Sequence, residues 1–267
     1  MHVRSFVTVL VVYAFMSLPA SAAHAQTTAK PFEPQVGQAG KDVVWVPTPQ
    51  ALVERMLDMA KVTPQDFLMD LGSGDGRTVI TAAKRGLRAQ GVEYNPDMVA
   101  LAERNAKAAG VSDRATFVKA DLFETDFSKA QVITMFLLPS INLQLRPTIL
   151  NMRPGTRIVS NSFTMDAWQP DETSNIGGEC TSWCTAHLWI VPAKVEGAWQ
   201  VGQNTLTLTQ DFQMVSGTLG ADAVTQGRLR GETITFTVGN ATYTGKVDGT
   251  TMRGTVSSGG NFTATKR

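Results

Sequence analysis

Hydrophobic and polar positions follow two different patterns along this chain, and the change falls near residue 192. Before it, apolar runs such as "FLMDL", "QVITMFLL" and "TRIVSNSF" are separated by segments whose apolar residues recur at helical spacing. This order predicts an α/β domain over residues 43–192, with a mostly parallel sheet covered on both faces. We expect "AHLWIVP" to close the sheet as an edge strand, and residues 164–184 to form a lid or an unrecognised strand.

The pattern after Pro192 is that of short antiparallel strands. Segments rich in Thr and Val alternate between apolar and polar residues and are punctuated by Gly, Asn or Asp, from "GAWQV" to "NFTATKR". Residues 193–267 are therefore predicted to form a small all-β meander, either a sandwich or a barrel-like sheet. Glycines inside these strands indicate strong curvature or bulges.

The N-terminus has the three parts of a secretory signal peptide. Arg4 precedes an apolar core, and small residues ending in "AHA" follow it, which predicts cleavage after residue 25 and export, to the periplasm in our interpretation. The alternative is an uncleaved membrane anchor, because the apolar run is only a little short of a span. Residues 26–42 lack periodicity and are predicted to be an extended linker.

Composition excludes some functional classes. The chain is 43% hydrophobic and 18% charged, which is ordinary for a globular protein. It has 24 basic and 23 acidic residues, and the leader contains only Arg4 among them, so the mature chain is formally neutral. Nothing in this balance predicts nucleic-acid binding, and no other apolar run is long enough to span a membrane.

Two cysteines lie close together in "ECTSWCTAH". In an oxidising compartment Cys180 and Cys184 can close a small disulfide loop; they can also be free thiols or, with His187, ligands of a metal. We predict no metal site, because a zinc centre needs a fourth ligand that this pattern does not provide. His187 lies in an alternating strand and is expected to be structural rather than a general base.

The segment "DLGSGDG" joins a strand to a helix. Its glycines free backbone N–H groups at the start of a helix, where a ligand can approach the main chain. The third glycine comes one position earlier than in a dinucleotide site, and this favours a zwitterionic, cationic cofactor. We expect cofactor contacts from Asp70, Gly72, Ser73, Gly74, Asp75 and Gly76. Asp75 can alternatively cap the helix.

The next strands supply matching partners. Glu93 follows the glycines by about twenty residues, where a carboxylate accepts the hydroxyls of a ribose. Asp121 and Leu122 end the third strand, one polar and one apolar partner for an adenine ring, and "MFLLPS" ends the fourth. Together these elements predict a binding site for S-adenosylmethionine.

The sequence resembles the class I, seven-β-strand methyltransferases that use S-adenosylmethionine, with a Rossmann-like sheet. It is most similar to the protein lysine methyltransferases of archaea and mitochondria, which include the enzymes acting on the c-subunit of ATP synthase. The likeness covers about residues 43–192 and is carried by "WVPTPQALVERML", "DLGSGDGRTVITAAKRG", "GVEYNPDMVALAERNA", "DLFETDFSKAQVITMFLLPSINLQLRPTIL" and "PGTRIVSNSFTMDAWQP".

The resemblance implies methyl transfer to lysine in a protein substrate. It places the cofactor against the residues named above, and implies a transfer channel lined by Trp45, Thr48, Phe136, Leu138 and Pro139. Trp45 and Phe136 can alternatively be core aromatics. Neither the leader nor the β-rich extension belongs to the shared domain.

Three functions remain open from the sequence. The chain is a protein lysine methyltransferase, a methyltransferase of small molecules, or an exported binding protein that keeps the fold without the chemistry. The leader directs the protein away from the compartment in which S-adenosylmethionine is made. Either the cofactor is supplied outside the cytoplasm, the leader works poorly, or the site has been reused.

Overall fold

A computed structural model describes residues 1–2, 32–178 and 180–267. Nearly all of the predicted signal peptide and the first part of the predicted linker lie outside the described residues. Residues 32–267 form one compact unit, in which a seven-stranded sheet is followed by a closed barrel. Within the described residues, no helix has the length and apolar character needed to cross a membrane.

Helices and strands alternate in the first part of this unit. The helices are α1 (Gln50–Met59), α2 (Arg77–Lys84), α3 (Pro96–Ala108) and α4 (Pro139–Leu150). The strands are β1 (Phe67–Leu71), β2 (Arg88–Glu93), β3 (Ala115–Lys119), β4 (Val132–Met135), β5 (Arg157–Asn161), β6 (Glu172–Asn175) and β7 (Thr185–Ile190). The helical spacing of the apolar residues places one face of each helix on the sheet, as α1 shows by burying Leu52, Val53, Met56 and Leu57.

The strand order in the sheet is β3-β2-β1-β4-β5-β7-β6. The first five of these strands are parallel, whereas β7 and β6 are antiparallel to their neighbours. Hydrophobic clusters lie on both faces, one packed around α1, α2 and α3 and the other around α4. The predicted mostly parallel, doubly covered sheet is confirmed.

The edge of the sheet differs from the sequence prediction. The segment "AHLWIVP" overlaps most of β7, which pairs with β5 on one side and with β6 on the other. The edge strand is therefore β6, which lies within the stretch predicted to be a lid or an unrecognised strand. Its sequence, "ETSN", is polar and mostly exposed, so no apolar periodicity marks it as a strand.

The second part of the unit is a barrel of eight antiparallel strands. These are β8 (Gly197–Val201), β9 (Asn204–Asp211), β10 (Met214–Leu219), β11 (Asp222–Arg230), β12 (Thr233–Val238), β13 (Ala241–Asp248), β14 (Thr251–Val256) and β15 (Asn261–Lys266). Pairing of β15 with β8 closes the barrel. The pairing of β10 with β11 shifts register between Val215 and Gly217, so the expected bulges are present.

The barrel packs against the sheet through the turn between β9 and β10. Phe212 in that turn stacks on Trp168, with ring centroids 6.0 Å apart, and Trp168 is fully buried. Arg228 forms an ion pair of 2.7 Å with the buried carboxylate of Asp171, which also accepts a hydrogen bond from the backbone N–H of Ile190. The barrel thus covers apolar and charged groups at the antiparallel side of the sheet.

Candidate active site

A cavity of about 610 Å³ opens at the carboxyl ends of the parallel strands. In open α/β sheets this edge is where ligands bind, because the loops that leave the strands diverge there. Twelve of the predicted site residues line it: Trp45, Thr48, Asp70, Gly72, Ser73, Gly74, Asp75, Glu93, Asp121, Leu122, Phe136 and Leu138.

Two predicted residues do not line the cavity. Pro139 is the first residue of α4, where its fixed φ and missing N–H suit a helix start. Gly76 points into the protein instead: a Cβ there would lie 2.7 Å from the ring of Phe117 and 2.9 Å from the Cβ of Ala102. Its role is close packing between the loop and α3, and the sequence pattern did not separate that role from ligand contact.

The glycine loop leaves β1 and turns at once into α2. Gly72 and Gly74 have φ of +77° and +53°, in the left-handed region that favours glycine. The carbonyl of Val92 accepts hydrogen bonds from Gly72 N at 2.9 Å and Ser73 N at 3.0 Å, which ties the loop to β2. The loop therefore presents its backbone to the cavity in one defined conformation.

Ser73 carries an unpaired polar atom in this loop. Its side chain is buried against the bare Cα of Gly91, where an added Cβ would lie 2.4 Å from the Ser73 Oγ. Within the described part of the chain, this Oγ has no hydrogen-bond partner. A buried hydroxyl without a partner is costly. Ser73 lines the cavity, so rotation of its side chain away from Gly91 would let a ligand there supply the missing partner.

Glu93 joins the glycine loop to the next helix. One of its carboxylate oxygens accepts a hydrogen bond from Gly74 N at 3.0 Å, and the other accepts one from Asn95 N at 2.9 Å. A carboxylate offers about four lone-pair sites, so each oxygen keeps one for a ligand. The side chain is thus already oriented for a pair of ribose hydroxyls.

Asp70 is the penultimate residue of β1, just before the glycine loop, and is buried. Burial raises the pKa of Asp70 to about 7; the hydroxyl of Thr134, which donates a hydrogen bond of 2.7 Å to it, opposes the rise, and the charges of Asp75 and Glu93 add to it. Carboxylates grouped at this end of the cavity repel one another. A cationic ligand relieves that repulsion.

Both cationic side chains among the described residues that line the cavity are paired. Arg77 holds the carboxylate of Asp75, with Nη2 2.6 Å and Nε 3.0 Å from its oxygens. The same carboxylate accepts a hydrogen bond of 3.3 Å from the backbone N–H of Arg77, the first residue of α2, so Asp75 also caps the start of that helix. Lys41 pairs with Asp121 and lies 4.9 Å from the ring centre of Tyr94. The hydrogen bond from Lys41 lowers the pKa of the Asp121 carboxyl.

The segment before α1 covers part of the cavity. Residues 38–45 form a tight reversal in which Trp45 N donates to the carbonyl of Gln38 at 2.9 Å, and Ala39 bridges Val44. The indole of Trp45 lies against Gly74, where a Cβ would be 2.7 Å from its Nε1. Residues 38–42 fall within the predicted linker, yet they reach the site. Lys41 in this segment donates a hydrogen bond to Asp121, which lies 80 positions later in the sequence.

Three aromatic rings close the opposite end. Phe136 and Phe163 stack at 6.0 Å between centroids, and Trp183 lies 5.5 Å from Phe136 and 5.4 Å from Phe163. All three line the cavity. Sequence reasoning named only Phe136, since Phe163 and Trp183 stand in irregular segments without periodicity.

Cys180 and Cys184 form a disulfide beside this aromatic end. Both sulfurs are therefore engaged and are not available to a metal. His187 lies on β7, where its Nδ1 is 3.0 Å from the hydroxyl of Thr173, and burial lowers the pKa of its imidazole. It is not among the residues that line the cavity, so its place fits a structural role.

The site has two chemically different ends. At one end, the N–H groups of Gly72, Ser73 and Gly74 already donate to Val92 and Glu93, so the free N–H groups expected from the sequence are not found on these residues. This end instead combines the exposed backbone of the glycine loop, an unpaired hydroxyl and several carboxylates, which fits the ribose, adenine and cationic groups of S-adenosylmethionine. The other end is aromatic and apolar. A nucleophile that enters through the rings reaches a ligand held by the loop, an arrangement suited to positioning two reactants in line and excluding water.

Comparison with known proteins gives one family and several relatives. The ANTKMT methyltransferase domain model matches residues 70–172. A protein-lysine N-methyltransferase of Saccharolobus islandicus is 45% identical over 137 residues, which cover 50% of this chain and 85% of that protein. A mouse lysine N-methyltransferase named for the c-subunit of ATP synthase is 35% identical over 134 residues, so the match spans 50% of this chain and about half, 54%, of the mouse protein.

A solved structure is also similar to this chain. It is described as an RNA methyltransferase from Salinibacter ruber in complex with S-adenosyl-L-homocysteine, with 47% identity and a TM-score of 0.53. The match covers 56% of this chain and 96% of that protein. The family resemblance found in the sequence is confirmed by these comparisons.

Proposed function

The chain belongs to the S-adenosylmethionine-dependent methyltransferases with an ANTKMT-type domain, and we propose that it methylates lysine side chains of a protein substrate. The observation that carries this proposal is the two-ended cavity, with a cofactor cradle at the glycine loop and an aromatic opening opposite. The name of the archaeal relative, a protein-lysine N-methyltransferase, supports lysine as the acceptor.

The cofactor is S-adenosylmethionine, which supplies an electrophilic methyl group bound to a positively charged sulfur. We assign Glu93 to the ribose and Asp121, with Leu122, to the adenine. Asp121 reaches an adenine only if Lys41 shares or releases its carboxylate. We assign the remaining polar groups to the Ser73 hydroxyl and to the carbonyls of Gly72 and Gly74, since the N–H groups of both glycines already donate to Val92 and Glu93.

The aromatic end prepares the acceptor. A lysine must lose a proton before it attacks, and apolar walls favour the neutral amine because they penalise the charged form. Phe136 and Phe163 supply such walls. The carbonyl of Phe163 accepts a hydrogen bond from the Ser160 hydroxyl at 2.7 Å, which fixes the turn that carries its ring. No general base is required at this end, since solvent accepts the proton.

An RNA substrate is the competing proposal, because the similar solved structure carries that description. Phosphate binding needs cationic side chains that are free to contact the backbone of the nucleic acid. Both cations among the described cavity-lining residues are paired with carboxylates, and the mature chain is formally neutral. These features favour a protein acceptor.

We also propose that the protein works in the periplasm. The leader pattern in residues 1–25 supports export, and the Cys180–Cys184 disulfide is a bond that persists in oxidising compartments. N-terminal sequencing of the protein from fractionated cells tests this proposal. Cleavage after residue 25 and recovery with periplasmic markers are expected; recovery with cytoplasmic markers would overturn it.

The acceptor is tested by incubating the mature chain with S-adenosylmethionine that carries a radioactive methyl group and a cell-envelope extract. Separate samples are then digested with protease or ribonuclease, and the labelled protein is hydrolysed for amino-acid analysis. We expect label in protein, recovered as methylated lysine. Label in RNA or in the small-molecule fraction would replace the proposed acceptor. Cofactor binding without any labelled product would favour a binding protein that has lost transfer.

A further inference from the structure

The loop between β6 and β7 lies at the edge of the sheet that carries the cavity. Strand β7 is antiparallel to β5, and Ala186 near its start pairs with Asn161 at the carboxyl end of β5. The loop that precedes β7 therefore emerges beside the loops that build the active site. Trp183 reaches the aromatic end of the cavity from this loop.

Covalent and backbone constraints hold this loop. The disulfide links Cys180 to Cys184, whose Cα atoms are 5.8 Å apart, and Trp183 is one of the residues it encloses. At the base, Ile176 N donates to the carbonyl of Cys184 at 3.0 Å. Trp183 has φ of +59°, a conformation that a bulky residue adopts only where its surroundings impose it.

The three rings come from three separate loops. Phe136 directly follows β4, Phe163 follows β5 by two residues, and Trp183 precedes β7 by two residues. Trp183 remains 41% exposed, although it contacts the other two rings. A large aromatic side chain left partly exposed at the mouth of a cavity is available to a ligand.

We propose that Trp183, held by the Cys180–Cys184 disulfide, is the third wall of an aromatic cage that binds the target lysine and its methylated forms. This inference rests on the proposed function. It adds a specificity residue from the disulfide loop, and it makes target binding depend on the redox state of that loop.

The chemistry of the acceptor explains why a cage helps. The lone pair of the lysine nitrogen forms the new N–C bond while the C–S bond breaks and its electron pair stays on sulfur. The nitrogen becomes positively charged and gives a proton to water before it can react again. Methylated ammonium groups are large and weakly hydrated, and aromatic faces attract them by cation–π interaction.

The disulfide sets the position of the ring. Reduction frees the loop to sample many conformations, so the left-handed geometry of Trp183 is no longer enforced and the cage loses one wall. The glycine loop lies between β1 and α2, and its conformation does not depend on the disulfide between β6 and β7. Target binding is therefore expected to respond to reduction, whereas cofactor binding is not.

The test uses the short peptide acetyl-Gly-Lys-Gly-amide, its trimethyl-lysine form, and a neutral isostere in which a carbon replaces the trimethylated nitrogen. Binding to the whole mature protein is measured by calorimetry, with and without a phosphine reductant. We expect the oxidised protein to prefer the trimethyl form over the isostere by about 5- to 30-fold. Reduction is expected to remove most of that preference.

Variants separate the ring from the bond. Trp183→Ala is expected to abolish the preference and to raise KM for the lysine peptide about 10-fold, with a smaller change in kcat, whereas Trp183→Phe retains part of it. The double variant Cys180→Ser with Cys184→Ser is expected to match the reduced wild type and to ignore the reductant. Met214→Ala, an exposed apolar residue on the barrel, is the control and leaves all values unchanged.

Calorimetry with S-adenosylmethionine on the same samples distinguishes the two proposals. If the wild type binds the cofactor but does not prefer the trimethyl peptide, the cage is wrong and the proposed function stands. The same conclusion follows if Trp183→Ala changes nothing. If the folded wild type does not bind the cofactor, the proposed function itself fails.

Discussion

Replacing Glu93 with Gln tests the cofactor cradle with the smallest change in shape. The two carboxylate oxygens each accept one backbone N–H, at 3.0 Å from Gly74 and 2.9 Å from Asn95. Glutamine keeps one acceptor oxygen and places an NH₂ group against one of those two donors. The variant thus removes the negative charge, one ribose acceptor and one of the contacts that hold the loop.

The size of the effect follows from the bonds lost. A hydrogen bond to a charged group contributes about 1.5–3 kcal/mol. Loss of one such bond to the ribose, together with weakening of the second when the charge disappears, gives about 2–4 kcal/mol, or about 30- to 1,000-fold weaker binding of S-adenosylmethionine.

Calorimetric titration of the purified mature chain measures this loss directly. Glu103→Gln is the matched control, because Glu103 is exposed on α3 and the substitution changes charge in the same way. Thermal unfolding without cofactor shows whether each variant is folded. If folded Glu93→Gln binds within about threefold of the wild type, Glu93 is not a cofactor ligand and the assignment of the cradle is refuted.

Three further changes test the surroundings of the site. The pKa of Asp70 is 3.8 in the unfolded chain and about 7 in the folded protein, so between these pH values the folded protein holds a proton that the unfolded chain has lost. The free energy of unfolding without cofactor therefore falls as the pH rises through this window. Asp70→Asn is expected to remove this pH dependence, as measured by denaturation at a series of pH values. A cation in the cavity lowers that pKa, so binding of S-adenosylmethionine near pH 6.5 releases a proton that calorimetry in buffers of different ionisation enthalpy detects. Gly76→Ala places a Cβ 2.7 Å from Phe117 at φ of +81°, which costs about 2 kcal/mol or more in urea unfolding. Phe212→Ala removes the ring stacked on Trp168 and costs about 2 kcal/mol, measured in the same way.

Each of these has a matched comparison. S-adenosylhomocysteine lacks the positively charged sulfur, so its binding should release fewer protons from the protein than binding of S-adenosylmethionine. If both ligands release the same number, Asp70 does not sense the positive charge of the cofactor. Gly110→Ala shares the unfavourable φ of +71° but has open space around its Cβ, so a loss as large as that of Gly76→Ala would contradict the packing argument. Met214→Ala should change the free energy of unfolding by less than about 0.5 kcal/mol. If Phe212→Ala also lowers it by less than about 0.5 kcal/mol, the contact between Phe212 and Trp168 does not stabilise the protein.

The pattern of apolar and polar residues was sufficient to predict those strands and helices whose own residues carry the periodicity. Alternating apolar runs and helical spacings located the parallel strands, and the alternation after Pro192 marked the strands of the barrel. The order of Gly72, Glu93 and Asp121 along successive strands predicted residues that meet in one cavity, because parallel strands bring their carboxyl ends to one edge.

Local pattern failed for edges and for contacts between distant segments. Within residues 164–184 the sequence left a lid and an unrecognised strand open, and it could not locate β6, because an exposed edge strand needs no apolar face and is stabilised by its pairing with β7. The family resemblance implied that Pro139 lines the channel, but it is the first residue of α4 and is not among the residues that line the cavity. Residues 38–42 of the covering segment were predicted to be linker, since the residue that Lys41 contacts, Asp121, lies far along the chain.

The sequence by itself determined the alternation of elements, the glycine loop and the acidic residues that follow it, because these depend on spacing along one stretch of chain. Only the tertiary structure decided which side chains complete the aromatic end of the cavity. Phe163 and Trp183 leave different strands and meet through strand order and a disulfide, 20 residues apart without any periodic signal. Closure of the barrel by β8 and β15 has the same origin, since pairing between the ends of a meander carries no mark in either strand.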